Sequence, residues 1–299
     1  IGNENNGPDY VERYEIFYKA IKEKYPDIIT IADTTRGMGD LPIEIVDEHY
    51  YRSPDSFFDM ADYYDDTDRS GPKIYVGEYA VNRGVGAGNL IGGISEAVYM
   101  LNMEKNADMV IMCSYAPLLE NVNQRNWPVN LIWLDSSHVV GRSSYQIQKL
   151  FGIHRPDVVL QTTVDAPKVT LQNVPVRRRG RRGGNDDQTQ NQQAPQYIQA
   201  DQLYAQAGLD KRAGELILKV VNPTPEPVTG QVALKGLTGL GSTAEIISVG
   251  NADATAENSL DNPNVVIPMT SRMAVSGSEF TGIFKPHSLT VLRLQARIE

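Results

Sequence analysis

The sequence predicts an α/β unit over residues 1–155 followed by an all-β antiparallel sandwich over residues 156–299. Three observations carry that reading. Short apolar runs alternate with helix-period segments through the first half, the pattern of parallel βα units. After residue 156 the segments become alternating or β-branched, with turn residues between them. Between the first two of those strands lies "RRRGRRGGNDDQTQNQQAPQ", polar and without periodicity, which predicts a disordered insert near 177–200.

The elements follow in order. Pro8 suits a first helical turn, and Tyr10, Tyr14, Phe17 and Ile21 recur at the spacing of one helical stripe. "IITIAD" and "IEIVDEHYY" read as strands. "SPDSFFDMADYYDD" reads as a helix with Ser53 as N-cap and Pro54 at its first position. Strand "KIYVGE", a glycine-rich loop, helix "NLIGGISEAVYMLNMEKN", strand "ADMVIMCSYA", a long loop and helix "SSYQIQKLFG" complete the first unit. In the second, "DVVLQTTV", "GELILKVVN", "VTGQVALKGL", "TAEIISVG" and "HSLTVLRLQ" are strands. Leu216, Leu218 and Val220 are expected on one face, with Glu215 and Lys219 on the other.

Composition removes several function classes. With 299 residues, 41% hydrophobic and a net charge of −9, the chain can bury a core but offers a poor surface to nucleic acid or an anionic membrane. No apolar run approaches the roughly 20 residues of a membrane span. The arginines at 177, 178, 179, 181 and 182 read as a solvated loop, since no aromatics interleave with them. Cys113 has no second cysteine to pair with and is expected to be a small buried hydrophobe. The chain opens at Ile1 on what reads as the end of an element, so further sequence is expected upstream.

In parallel βα folds the working residues stand just past the carboxyl ends of strands. Glu4, His49 with Tyr51, Glu78, and Ser114 with Tyr115 hold such positions. Paired carboxyl groups suit glycosidic bond cleavage: one donates a proton to the leaving oxygen and the other attacks the anomeric carbon. Each glutamate has the plainer alternative of an exposed loop acid. His49 and Tyr51 share a side of an extended strand, either to bond substrate or nucleophile or simply to pack. Asp47 and Glu48 raise the question of a metal, but none of the histidines at 49, 138, 154 and 287 has a spaced His or Cys partner. No metal and no cofactor are therefore expected. "GVGAGNLIGG" lacks the spacing of a nucleotide loop. Trp127 and Trp133, in the long loop, either stack on a sugar ring or pack beneath the loop.

Three stretches carry a family resemblance: "GNENNGPDYVERYEIFYKAIKEKYPDI", "DEHYYRSPDSFFDMADYYDDTDRSGPKIYVGEYAV" and "NADMVIMCSYAPLLENVN" with its following tryptophan and "LI". They resemble the catalytic domain of family 51 glycoside hydrolases, the α-L-arabinofuranosidases. "AENSLDNPN" and "FKPHSLTVLRL" resemble the same family's C-terminal β-domain. The resemblance spans nearly all of the chain outside the insert.

That resemblance implies a (β/α)8 TIM barrel, with strands four to eight in this chain and the first half absent, followed by the sandwich. It implies Glu4 as acid/base and Glu78 as nucleophile, with Asn3 on the sugar 2-hydroxyl and His49 and Tyr51 beside them. Family members commonly carry an aromatic soon after the acid/base, where this chain has Asn5 and Asn6 before Gly7. The implied partner is an arabinose-containing polysaccharide or oligosaccharide, and the implied reaction a retaining release of terminal arabinofuranosyl groups. A homo-oligomer is also implied, and export is expected from the substrate. A barrel-clan glycanase acting on xylan or glucan, and a non-catalytic carbohydrate-binding or scaffold protein, are the alternatives.

Overall fold

Four parallel strands frame the first half of the molecule. The computed structural model describes residues 1–5, 7, 9–172 and 197–298. In chain order come α1 (Tyr10–Lys24), β1 (Ile31–Ala32), β2 (Ile45–Arg52), α2 (Pro54–Phe58), β3 (Lys73–Val81), α3 (Leu90–Lys105) and β4 (Val110–Tyr115). The strands lie side by side in that order, every neighbouring pair parallel. Parallel neighbours need a crossover between them, and the helices supply two of the three. The segment predicted as a long loop contains a small sheet of β5 (Leu119–Asn121), β6 (Ile132–Leu134) and β7 (Val139–Gly141), and α4 (Ser143–Ile153) follows it.

The second half is all strand: β8 (Val158–Leu160), β9 (Lys168–Gln172), β10 (Tyr197–Asp201), β11 (Tyr204–Asp210), β12 (Glu215–Asn222), β13 (Val228–Ala233), β14 (Leu237–Thr238), β15 (Thr243–Gly250), β16 (Met269–Ala274), β17 (Glu279–Phe284), β18 (Ser288–Gln295) and β19 (Arg297–Ile298). Six form one antiparallel sheet in the order β16-β15-β18-β12-β11-β8, while β9 with β10, β13 with β17, and β14 with β19 pair separately. β9 and β10 flank the predicted insert, so residues 197–200 are strand. The arginine cluster and Pro8 lie outside the described residues.

Helix α3 joins the halves. Every residue from Leu90 to Met103 is buried, as befits a helix that is apolar around its whole circumference. Gly93 sits where α3 packs closely on α4: a Cβ there would lie 3.1 Å from the Ile147 side chain, which would have to give way. A single apolar core runs from Val76 and Tyr79 in β3, through Ile94 and Val98 in α3, to Ile217, Val249 and Val291 in the large sheet.

Lys219 lies on the face opposite Leu218 and Val220, as expected; it is fully buried there, because β12 lies in the middle of its sheet with α3 against that face, and its ammonium pairs with Glu104 of α3. Three expectations fail for identifiable reasons. Helix α2 stops at Phe58; the run beyond it carries Asp59, Asp62, Asp65 and Asp66, poor helix formers that repel at i+3. In α1 the buried tyrosines Tyr10 and Tyr14 are followed by Tyr18, stacked on Tyr14 at 5.8 Å, while Phe17 faces solvent. Cys113 is exposed along with Ile111 and Met112, because β4 is an outer strand with nothing described on its far side.

The Lys219–Glu104 pair generates a stability prediction. Burial pushes the lysine down and the glutamate up, and each partner opposes the other's shift. Lys219→Met strands a buried carboxylate and should cost about 3–5 kcal/mol, whereas adding Glu104→Leu should recover most of that loss. Guanidinium unfolding of the two variants checks both halves.

Candidate active site

One extra residue in β3 creates the site. Glu48 of β2 pairs with Val76, but His49 pairs with Glu78, so Gly77 is bulged out of the ladder. The bulge shifts the phase of β3 and brings Glu78 opposite His49. The side chain of Asp47 fills the space beside the bulge, its Oδ1 accepting the Gly77 N–H at 3.0 Å. A Cβ on Gly77 would stand 2.1 Å from that oxygen, so any larger residue would displace the Asp47 carboxylate. From the other side the Ser114 hydroxyl donates to the Gly77 carbonyl at 2.6 Å and lies 2.7 Å from the Tyr75 hydroxyl.

Asp47, His49 and Tyr51 alternate along β2 and share its open face. His49 Nδ1 lies 3.0 Å from Glu4 Oε1 and 3.4 Å from Glu78 Oε2, and its Nε2 lies 3.2 Å from Asp47 Oδ2. The Tyr51 hydroxyl donates to Glu78 Oε2 at 2.5 Å. On the opposite face of β2, Glu48 accepts the hydroxyls of Tyr50 and Tyr64, each at 2.8 Å. The alternation thus sends one carboxylate of the Asp47–Glu48 pair to the site and the other to the helices.

Glu4 arrives from outside the described sheet, in the turn before α1. Its backbone sits at φ +48°, a left-handed conformation that costs a non-glycine residue about 1–3 kcal/mol. Asp33, just past β1, holds it there: Oδ1 accepts the Glu4 N–H at 2.9 Å and Oδ2 accepts the Asn5 N–H. Asn3 beside it is exposed.

The electrostatic consequence falls on the ring between the acids. Burial alone would lower the His49 pKa, but the hydrogen bond to Glu4 and the charges of Asp47 and Glu78 outweigh it, and the imidazole is raised above its usual range. Burial and then Glu78 raise the Tyr51 phenol, which stays a donor. Three residues past Glu78, the Val81 N–H donates to Glu96 Oε1 at 2.8 Å, and burial pushes that carboxyl up to about 7.

Of the residues predicted from sequence, Glu4, His49, Tyr51 and Glu78 come together. One ligand atom from each of Glu4, His49 and Glu78 lies within 4.8 Å of the others. That spacing would also suit a divalent cation, a grouping that the sequence spacing of the histidines did not suggest. The tryptophans divide. Trp127 is 47% exposed, with its ring 5.6 Å from that of Tyr51, at the site's rim. Trp133 packs beneath the loop, under the guanidinium groups of Arg125 and Arg142. Ser114 supports the bulge, and Tyr115 turns its hydroxyl into the interior. The sequence reading missed Asp33 and weighed Asp47 only as a metal ligand. An acid at the end of "IITIAD" and another two residues before His49 were the available signals.

Comparison with known proteins supplies the family. Residues 77–288 match the model of the α-L-arabinofuranosidase C-terminal domain, and residues 1–69 match the α-L-arabinofuranosidase 1 domain. α-L-Arabinofuranosidase 1 of Arabidopsis thaliana is 32% identical over 294 residues, covering 97% of this chain and 39% of that protein. An extracellular exo-α-L-arabinofuranosidase of Streptomyces chartreusis is 40% identical over 164 residues, covering 50% of this chain and 19% of its own. The chain thus spans about two-fifths of the length of these plant relatives, 39% of α-L-arabinofuranosidase 1 and 41% of α-L-arabinofuranosidase 2 of Arabidopsis thaliana. An arabinose-bound GH51 α-L-arabinofuranosidase shares the fold with a TM-score of 0.78 at 24% identity, covering 96% of this chain and 43% of that one. The α-L-arabinofuranosidase of Thermotoga maritima, in an arabinose complex, shares it at 0.75 and 20% identity, covering 98% and 65%.

The raised His49 ring can be tested directly. Its stabilising contribution is complete below the unfolded-state pKa of about 6.5 and is lost as pH rises through the higher folded value. An imidazole proton NMR titration should place the His49 midpoint above 6.5, and Glu78→Gln should move it down. A midpoint indifferent to that substitution contradicts the cluster.

Proposed function

The chain belongs to the α-L-arabinofuranosidase family, and from that membership and the site's geometry we propose that it carries the catalytic pair of a retaining glycoside hydrolase. The substrate is an arabinose-containing polysaccharide or oligosaccharide, from which terminal α-L-arabinofuranosyl groups are released. The observation that carries the reading is the short gap between the two glutamates, whose nearest oxygens lie within 4.8 Å. Retaining pairs stand about 5–5.5 Å apart, while inverting pairs leave about 6.5–9.5 Å for a water.

In the first step Glu78 attacks the anomeric carbon as Glu4 gives a proton to the leaving oxygen. Tyr51 supports this role by directing a hydroxyl at Glu78 Oε2, which leaves the other oxygen for the sugar. Water, deprotonated by Glu4, then releases the sugar from Glu78. His49 bridges both acids and holds them apart at a working separation as charge moves between them. Asn3 takes the sugar 2-hydroxyl and Trp127 offers an apolar ring face at the rim.

The same reading gives the parallel sheet its place. β1 to β4 correspond to strands five to eight of a (β/α)8 barrel, with Glu4 after strand four and Glu78 after strand seven. The terminal nitrogen of Ile1 donates to the Ile31 carbonyl at 2.5 Å, which supports a strand beside β1. The unit over 1–155 is then the later part of a catalytic domain and the unit over 156–299 its sandwich.

Hydrolysis of an aryl α-L-arabinofuranoside, with the first-formed anomer read by NMR, tests the proposal. The expected product retains configuration. Glu78→Ala should abolish turnover, with azide restoring it and giving the inverted glycosyl azide. Glu4→Ala should lose about 10²–10⁴-fold on substrates with poor leaving groups and far less on activated aryl ones. An inverted first product, or unchanged turnover in Glu78→Ala, sinks the assignment.

A further inference from the structure

The sandwich touches the α/β unit through a loop, residues 251–268, between β15 and β16, which contains the "AENSLDNPN" stretch. The carbonyls of Ala254 and Ala256 accept the N–H groups of Ile91 and Leu90, the first residues of α3, at 2.9 and 2.8 Å. Asn258 donates its side-chain amide to the Gly141 carbonyl at 3.0 Å. Between these contacts stands Arg142, only 1% exposed. Its guanidinium donates to the Asn258 carbonyl, to Glu257 Oε2 at 2.7 Å and to the Ala87 carbonyl at 3.0 Å.

A buried arginine is desolvated at a cost, so its position between two polypeptide segments calls for a purpose beyond charge pairing. Two of its contacts lead toward the active site. Ala87 belongs to the glycine-rich loop after β3, and with Gly86 it forms one wall of a depression whose other wall is Arg125, Asn126, Trp127 and Pro128. The guanidinium carbon also lies 3.7 Å from the centre of the Trp133 ring, over which Arg125 lies at 4.4 Å. Arg125 donates to the Pro128 carbonyl at 3.1 Å, and Asn130 donates to the Trp127 carbonyl at 3.0 Å and to Glu120. The chain of contacts ends where Trp127 meets Tyr51, the donor to Glu78.

We propose that Arg142 is a positioning residue through which the sandwich loop sets both walls of the depression beside Trp127, and so shapes the rim where sugar enters. The glycan-binding part of this statement rests on the arabinofuranosidase reading above; the mechanical part does not. Arg142 touches no reacting atom. Its planar fork serves three acceptors while its face stacks on Trp133, a combination that lysine does not reproduce.

The chain has only two tryptophans, both in this segment, so 5-fluorotryptophan labelling gives two fluorine resonances, assigned with Trp127→Phe. Two variants approach the contact from opposite sides: Arg142→Lys within the α/β unit, and Glu257→Ala in the sandwich loop, whose half-exposed side chain can be removed without opening the core. In both, the Trp127 resonance should move toward that of free tryptophan or broaden, with the thermal transition still cooperative. On an aryl arabinofuranoside, KM should rise severalfold in Glu257→Ala while kcat is largely kept, whereas a loss of folded protein would lower kcat alone. An unmoved Trp127 resonance in both variants, or a fall in kcat with unchanged KM, overturns the proposal. Should the parent chain show no turnover, its proposed catalytic competence fails by itself, the family membership stands, and the fluorine spectra alone decide the role of Arg142.

Discussion

Helix α3 has no face left for water, and the rest of the molecule is arranged around that constraint. A helix buried on every side must satisfy each polar group it carries from its neighbours. Glu96 therefore holds the end of β3 at Val81, Asn102 takes the backbone of Tyr64 at 3.0 Å, and Glu104 reaches Lys219 in the large sheet. Its first amides are capped by the carbonyls of the sandwich loop in place of a capping side chain. Each bond locates a different part of the chain against the same rigid rod. The parallel sheet and the antiparallel sheet are in register because both are referred to α3.

The cluster of Glu4, Asp47, His49 and Glu78 works against this economy. Three carboxylates share one imidazole, Glu4 sits in a left-handed conformation, and β3 gives up ladder hydrogen bonds at Gly77. Each feature is unfavourable taken alone, and each is held by a neighbouring side chain. Asp33 holds Glu4, Asp47 and Ser114 hold the bulge, and Tyr51 holds Glu78. Local strain of this kind persists only where surrounding structure over-determines it.

Much of this was legible in the sequence, and what was not has physical causes. Period-two and period-3.6 patterns located β2, β3, α3 and α4, because those elements bury a face or a whole surface. Glu78 stood out for the same reason, as a charge ending an apolar strand. The bulge did not, since Gly77 in a strand signals close approach without saying what approaches. Alternation set Lys219 opposite Leu218 and Val220, but nothing local announces that a helix from another unit covers that face. The strands β11, β16 and β17 passed unnoticed because "YAQAGLD", "MTSRMA" and "EFTGIF" lack a strong alternating signal and take their identity from pairing. The small sheet within 119–141 is likewise tertiary in origin, assembled around Trp133 and Arg142.

The outer strands of the parallel sheet carry a further consequence. Beside β1, Ile16, Phe17, Ile28 and Ile29 are exposed, and along β4 and its continuation so are Ile111, Met112, Leu118 and Leu119. Unpaired backbone next to exposed apolar side chains is an adhesive margin, because any passing strand gains hydrogen bonds and burial together. In the barrel reading proposed above, these are the two margins at which neighbouring strands would close the sheet. The apolar side chains along both margins are thus the ones a closed sheet would turn from a surface into an interior, which gives the same residues opposite solvation in the open and closed arrangements.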